Sequence, residues 1–270
     1  MNIAIIGCGY VGQAVARYWQ ERNFTVTVTT TTPEKVTALS EVADRVVILQ
    51  GNDVEGMLKL LENQDTVLLS VGAKNSDTYT ETYLQTAQTL VSVMQQMQTV
   101  QQVIYTGSYS VYGVQNGASV DEETPVAPIN PNGEILCETE KILLQSNLRV
   151  CILRLGGIYG PGRELVKIFG RAAGSTRPGD GKDITNWIHL DDIVAALEFA
   201  RQHRLQGIYN LVDDAHLSSG ELFECLCTQH NLPPVSWDAT QQSNRAYNSL
   251  VSNQKLKDAG YKLIHPQMIF

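Results

Sequence analysis

The first dozen residues constrain this chain most. Ile3-Ala4-Ile5-Ile6 is an apolar run of strand type that passes directly into Gly7-Cys8-Gly9-Tyr10-Val11-Gly12. Gln13, Ala14 and Val15 open a helical pattern that continues to Arg22, and a second β-branched run follows at Thr25–Thr29. Strand, glycine turn, helix and strand in that order make a βαβ unit. Each glycine has its own task there. Gly7 permits the tight turn, Gly9 lets the backbone approach a bound pyrophosphate, and Gly12 allows the helix to pack closely on the strand. The phosphates would rest at the positive end of the helix, against free backbone N–H groups. The turn therefore implies a nicotinamide dinucleotide held by Gly7, Cys8, Gly9, Tyr10, Val11 and Gly12, the alternative being a structural turn without a ligand.

Further apolar runs recur at Arg45–Leu49, Thr66–Val71, Gln102–Thr106, Val150–Leu155 and Ile208–Val212. Several are apolar on consecutive residues, as strands buried on both faces must be. Between them lie helical patterns, the clearest being Thr78–Met97, with Tyr79, Tyr83, Leu84, Ala87, Leu90, Val91 and Met94 on one face. Such alternation predicts an α/β fold, a Rossmann-type doubly wound parallel sheet with helices on both sides. The face of Thr78–Met97 has two explanations, packing on its own sheet or pairing with a second copy in a homodimer.

After Leu155 the character changes, with Gly156, Gly157, Gly160, Pro161 and Gly162 opening a loop-rich stretch. Long ordered loops in compact proteins are usually functional. The expected division is a dinucleotide-binding domain of residues 1–155 with about 182–217. A smaller C-terminal substrate-binding lid would comprise about 156–181 with 218–270.

A formal net charge of -8 argues against non-specific binding to nucleic acid or an anionic membrane, which needs clustered cations. No apolar stretch reaches the roughly 20 residues that span a bilayer, and no signal-peptide pattern opens the chain. Cys8, Cys137, Cys151, Cys225 and Cys227 form no CxxC pair, which favours free thiols in a cytoplasmic protein. His203, His216, His230 and His265 share no ligand spacing, and His189 beside Asp191 and Asp192 reads as a packed residue before a capped helix. No metal is expected.

An acid about 20 residues after the glycine turn would hold the ribose of NAD. This chain instead has Thr29-Thr30-Thr31-Thr32-Pro33-Glu34-Lys35. Thr29, Thr30 and Lys35 would tolerate a 2′-phosphate, so NADP is preferred over NAD. Asn52 and Asp53 follow the third strand and could meet the adenine, although an Asp there also caps helices. Val71 and Gly72, ending the fourth strand, complete the expected cofactor residues.

Four blocks then resemble the extended short-chain dehydrogenase/reductases of the epimerase/dehydratase branch. Beyond the glycine turn, they are Val103–Gly113, Leu153–Gly162, Trp187–Ile193 and Tyr209-Asn210-Leu211. The resemblance implies Ser108, with Ser110 close by, as the hydroxyl that orients a substrate oxygen. It also implies a Tyr and a Lys four residues later as the proton-transfer pair. Here Asn132 and Leu136 occupy those positions, so the chain is similar to the atypical members that lack the dyad. Glu134 and Glu138 share a helix face and could supply the proton, or be solvated surface carboxylates. Tyr109, Tyr112 and Tyr159 offer phenols toward substrate, with packing as the alternative; Arg163 could meet a substrate anion or lie on the surface. The resemblance implies an oxidoreductase or epimerase/dehydratase acting on a small polar or nucleotide-linked substrate. The missing dyad leaves a non-catalytic regulatory or redox-sensing cofactor binder as the alternative.

Overall fold

The computed structural model describes every residue except Gln98, Asn244 and Ala246. Its central sheet has seven parallel strands. The first five are β1 (Asn2–Ile6), β2 (Thr25–Thr30), β3 (Arg45–Ile48), β4 (Thr66–Leu69) and β5 (Gln102–Ser108). Val150–Leu155 and Gly207–Leu211 complete it, and the spatial order is β3, β2, β1, β4, β5, Val150–Leu155, Gly207–Leu211. Ile3 pairs in register with Val26 on one side and Thr66 on the other. Chain order reverses between β1 and β4, the switch point where doubly wound sheets open a crevice at their carboxyl ends. The expected Rossmann-type sheet is present.

Burial explains the consecutive apolar residues. Every residue of β4 and of Val150–Leu155 is buried, as central parallel strands covered on both faces require. The chain forms two compact units. The first comprises Met1–Ser108, Asn130–Leu153 and Val194–Ile208, and the second comprises Tyr109–Ile129, Arg154–Ile193 and Tyr209–Phe270. In the first unit, Ala4, Ile6, Leu69, Val103 and Ile152 pack with Ala87, Leu90, Val93 and Met94 into one core. The apolar face of residues 78–97 is therefore largely consumed by its own sheet.

That segment departs from a uniform helix. A 3-10 turn at Ser76–Thr78 leads into a π segment, Thr80–Gln85, and only Thr86–Met94 is α-helical. The Thr86 hydroxyl donates to the Glu81 carbonyl at 3.2 Å, five residues back, in keeping with the widened turn. Such π turns are uncommon and are often found at functional sites.

In the second unit, Tyr159, Leu165, Trp187, Leu222, Phe223 and Leu226 form a core against which Met268 and Phe270 pack. Short parallel pairs join Gly157–Tyr159 to Trp187–His189 and Thr176–Pro178 to Ser236–Asp238. Among the described residues, no helix is long and apolar enough to cross a membrane.

Candidate functional site

The first unit carries a cavity of about 400 Å³ where the carboxyl ends of its strands meet the glycine turn. Gly7, Cys8 and Gly9 form one wall, Thr29, Thr30 and Lys35 a second, and Val71 with Gly72 a third. The turn is held from below by Thr29. Its hydroxyl accepts the Gly7 N–H at 3.0 Å, and its carbonyl accepts the Cys8 N–H at 3.1 Å. Gly7 has φ +86°, and a Cβ there would lie 2.7 Å from the Ser70 carbonyl oxygen, so only glycine fits. A Cβ on Gly12 would lie 2.7 Å from the Gly7 carbonyl oxygen, which shows how closely helix and turn approach. Gly9 and Gly72 differ: a Cβ on either would meet nothing within 4 Å. Open glycine backbone at the start of the helix Tyr10–Gln20 is the cradle a pyrophosphate needs, so the donor set fits a dinucleotide. Burial pushes the Cys8 thiol up to about 12 despite the charge of Lys35, so Cys8 is an inert part of the wall.

The other expected cofactor residues divide by position. Tyr10, Val11 and Gly12 belong to the helix behind the turn, with Val11 and Gly12 buried. Asn52 and Asp53 are exposed and do not line the cavity, which Leu49, Gln50 and Gly51 reach instead. Asp53 caps the helix Val54–Leu61, its carboxylate accepting the Gly56 N–H at 2.9 Å. Thr30 spends its hydroxyl locally, accepting the Thr32 N–H at 3.1 Å. Sequence reasoning missed Ser70, Lys74, Glu81, Thr82 and Thr86, which also line the cavity. Glu81 and Thr82 come from the π segment and Thr86 opens the α-helix after it, and no pattern in the sequence marks that π segment.

Ser108 ends β5 and is half-buried. On the helix Pro131–Gln145, Asn132 donates through its side-chain amide to the Ser76 hydroxyl at 3.2 Å, and Leu136 is buried. Glu134 is exposed, and Glu138 pairs with Lys141 at 3.2 Å on the surface. The buried carboxyl of this helix is Glu140, missed by the sequence reading. A Cβ on Gly107 would come within 3.1 Å of it, so Gly107 is the space Glu140 occupies. Burial, and then the Glu140 charge, push the Tyr105 phenol well above its ordinary value.

In the second unit, Ser110 lies in the 3-10 turn Tyr109–Tyr112. The Tyr112 hydroxyl donates to Asn210 at 2.9 Å, and the Arg154 guanidinium lies 4.8 Å over its ring. Burial pushes the Tyr109 phenol up, against the pull of Arg245 and a hydrogen bond with Asn186. Burial likewise pushes Tyr159 up to about 12, and its oxygen accepts the Ile269 N–H at 3.2 Å. Arg163 is exposed and donates to the Ile158 carbonyl at 2.9 Å, within its own loop. A cavity of about 160 Å³ in this unit is lined by Arg177, Arg245, Asp183 and the rings of Phe169, Phe223 and Trp237. Asp183 is engaged by the Ser243 hydroxyl and by the Asn248 amide at 2.8 Å.

Asp192 corrects the expectation of a helix cap. The helix starts at Leu190, and the buried Asp192 carboxylate accepts instead from the C-terminal segment. Its donors are Tyr261 Oη at 3.0 Å, the Ile264 N–H at 2.7 Å and the His265 N–H at 2.9 Å. The partners are about 70 residues distant, beyond the reach of local pattern.

Residues 3–211 match the family model described as "NAD dependent epimerase/dehydratase family". Protein YeeZ of Escherichia coli (strain K12) is 34% identical over 250 residues, covering 90% of this chain and 89% of that protein. Two solved structures share the fold at low identity. A UDP-N-acetylglucosamine 4-epimerase from Methanobrevibacter ruminantium M1 superposes with TM-score 0.82 at 16% identity, covering 97% of this chain and 92% of its own. A UDP-glucuronic acid 4-epimerase from Bacillus cereus, in complex with UDP-glucuronic acid and NAD, gives TM-score 0.78 at 18% identity, covering 96% and 92%. The glycine turn, the doubly wound sheet and a family match spanning both place this chain in the NAD-dependent epimerase/dehydratase family.

Proposed function

We propose that the chain binds NADP or NAD in the cavity of the first unit and acts on a nucleotide-linked or similarly anionic polar substrate. The observation that carries the reading is the open glycine cradle, with Gly9 at the helix N-terminus and Gly72 just after the fourth strand both facing free space. A bound nicotinamide would supply hydride transfer. This chain's residues would do the rest. The turn would hold the pyrophosphate, and Lys35 with Thr31 and Thr32, which line the cavity, would favour a ribose 2′-phosphate, hence NADP. Ser108, at the carboxyl end of β5, would orient a substrate oxygen. Arg177 and Arg245, flanked by three aromatic rings in the second unit, offer charge and stacking surface to a nucleotide's phosphate and base. Solved members of the fold carry UDP-sugar ligands, which supports this substrate class.

A second reading is favoured by Asn132. It stands where the family's tyrosine is expected and binds Ser76. General acid–base help is typically worth roughly 10²–10⁴-fold in rate, so a chain without the pair could serve as a cofactor-bound sensor. Calorimetry with NADPH, NADP, NADH and NAD, alone and with UDP-glucuronic acid, tests both. Micromolar cofactor binding plus turnover that Ser108→Ala abolishes supports the enzyme. Cofactor binding with no turnover of nucleotide sugars, unchanged by Ser108→Ala, supports the sensor. No binding of any dinucleotide would refute both.

A further inference from the structure

We propose that His189, Asp191 and His265 form a site for a divalent transition metal, of zinc type, in the second unit. Asp191 Oδ2 lies 3.4 Å from His189 Nδ1 and 3.1 Å from His265 Nε2, and all three ligand atoms lie within 4.8 Å of one another. For metal–ligand bonds of about 2.0–2.1 Å, the edges of a tetrahedron are about 3.3–3.4 Å. Two edges are therefore already near the required length. The third would close by side-chain rotation of Asp191, which is exposed, and His265, which is half-exposed, toward the buried His189.

The three side chains also present the right kind of donor atoms to a cation. His189 Nδ1 accepts the Asp191 N–H at 3.2 Å, so that nitrogen presents a lone pair and carries no proton of its own. The Asp191 carboxylate oxygen stands 3.4 Å from it and is itself in hydrogen-bond contact with His265 Nε2 at 3.1 Å. A metal ion would take these lone pairs in place of the long N–H contact to His189 and the His265–Asp191 contact. Two imidazoles and one carboxylate are the donors of zinc, cobalt and nickel sites, and they disfavour magnesium and calcium, which prefer all-oxygen shells. The exposed side of the cluster leaves room for water at the fourth position.

The ion would clamp the C-terminal segment. His265 is already drawn to this point, because its N–H and that of Ile264 donate to the buried Asp192 carboxylate. Those backbone bonds survive a change of side chain at 265. His265→Ala should therefore fold normally and lose only a ligand, and circular dichroism checks this.

The test uses the full chain, stripped with a chelator and titrated with Zn²⁺ alone, then with Co²⁺ as a spectroscopic probe. One Zn²⁺ per chain at micromolar affinity is expected, with a rise in thermal midpoint and visible Co²⁺ bands of nitrogen–oxygen coordination. His265→Ala and Asp191→Asn should each weaken binding at least tenfold. Absence of stoichiometric binding at 100-micromolar-scale free Zn²⁺ overturns the site. So does undiminished binding in His265→Ala, which would place the ion on other residues such as the exposed Cys225.

Discussion

Asp213 shows how far one buried group can set a property of the protein. Burial pushes its carboxyl up to about 7, with Asp214 and Asp192 adding repulsion and the Ala215 N–H opposing. One oxygen accepts that N–H at 3.1 Å, while the other is buried with no hydrogen-bond partner among the described residues. Because the folded pKa lies above the unfolded value, the folded chain holds the extra proton between pH ~4 and ~7. Stability is therefore fully present below that window and is lost as pH rises through it. Asp213→Asn should leave stability at pH 4 nearly unchanged and raise it at pH 8 by up to about 4 kcal/mol. Urea titrations at both pH values would check this, and an equal effect at both would contradict it. The glycines give a second test at this scale. Gly9→Ala meets no protein atom, so it should keep the thermal midpoint while weakening dinucleotide binding about tenfold or more. Gly12→Ala drives a Cβ onto the Gly7 carbonyl and should cost stability as well, about 1–3 kcal/mol.

At the scale of elements, the helix Leu190–Gln202 is tied to the helix Tyr10–Gln20 by one buried carboxylate. Glu198 accepts from Trp19 Nε1 at 2.8 Å and from Arg201 at 2.8 and 2.7 Å. Burial alone would push its carboxyl up, but the Arg201 and Trp19 donors outweigh this and hold it below the ordinary range. Glu198→Ala strands the Trp19 and Arg201 donors, and removes the acceptor of Gln202, in a buried setting and should destabilise by about 3–5 kcal/mol. Denaturant unfolding would measure it, and a loss below 1 kcal/mol would mean solvent replaces the carboxylate. The strands of the sheet were legible, because burial on both faces demands the consecutive apolar residues seen at Thr66–Leu69 and Val150–Leu155. The π turn at Thr80–Gln85 was not, since its apolar spacing matches an ordinary helix. It shows in the backbone, and in the Thr86 hydroxyl that reaches back five residues to the Glu81 carbonyl.

For the whole molecule, the apolar face of Thr86–Met94 lies in the core of its own unit, and Gln88, Ser92 and Gln95 are exposed. The expected mass in solution at micromolar concentration is that of a monomer. Light scattering checks this, and a dimer mass would assign pairing to a surface other than that buried face.

The chain's own residues determined the architecture and the glycine turn. A parallel sheet and a glycine-rich βαβ turn are written in contiguous residues, because periodicity and backbone freedom are local properties. The tertiary structure decided what distant residues do together. Thr29 supports the turn from below, Glu140 fills the space at Gly107, and Asp192 receives the C-terminal segment. His265 meets Asp191 across 74 positions. Those roles depend on which side chains the fold makes neighbours and how completely it removes them from water, and no local pattern encodes either.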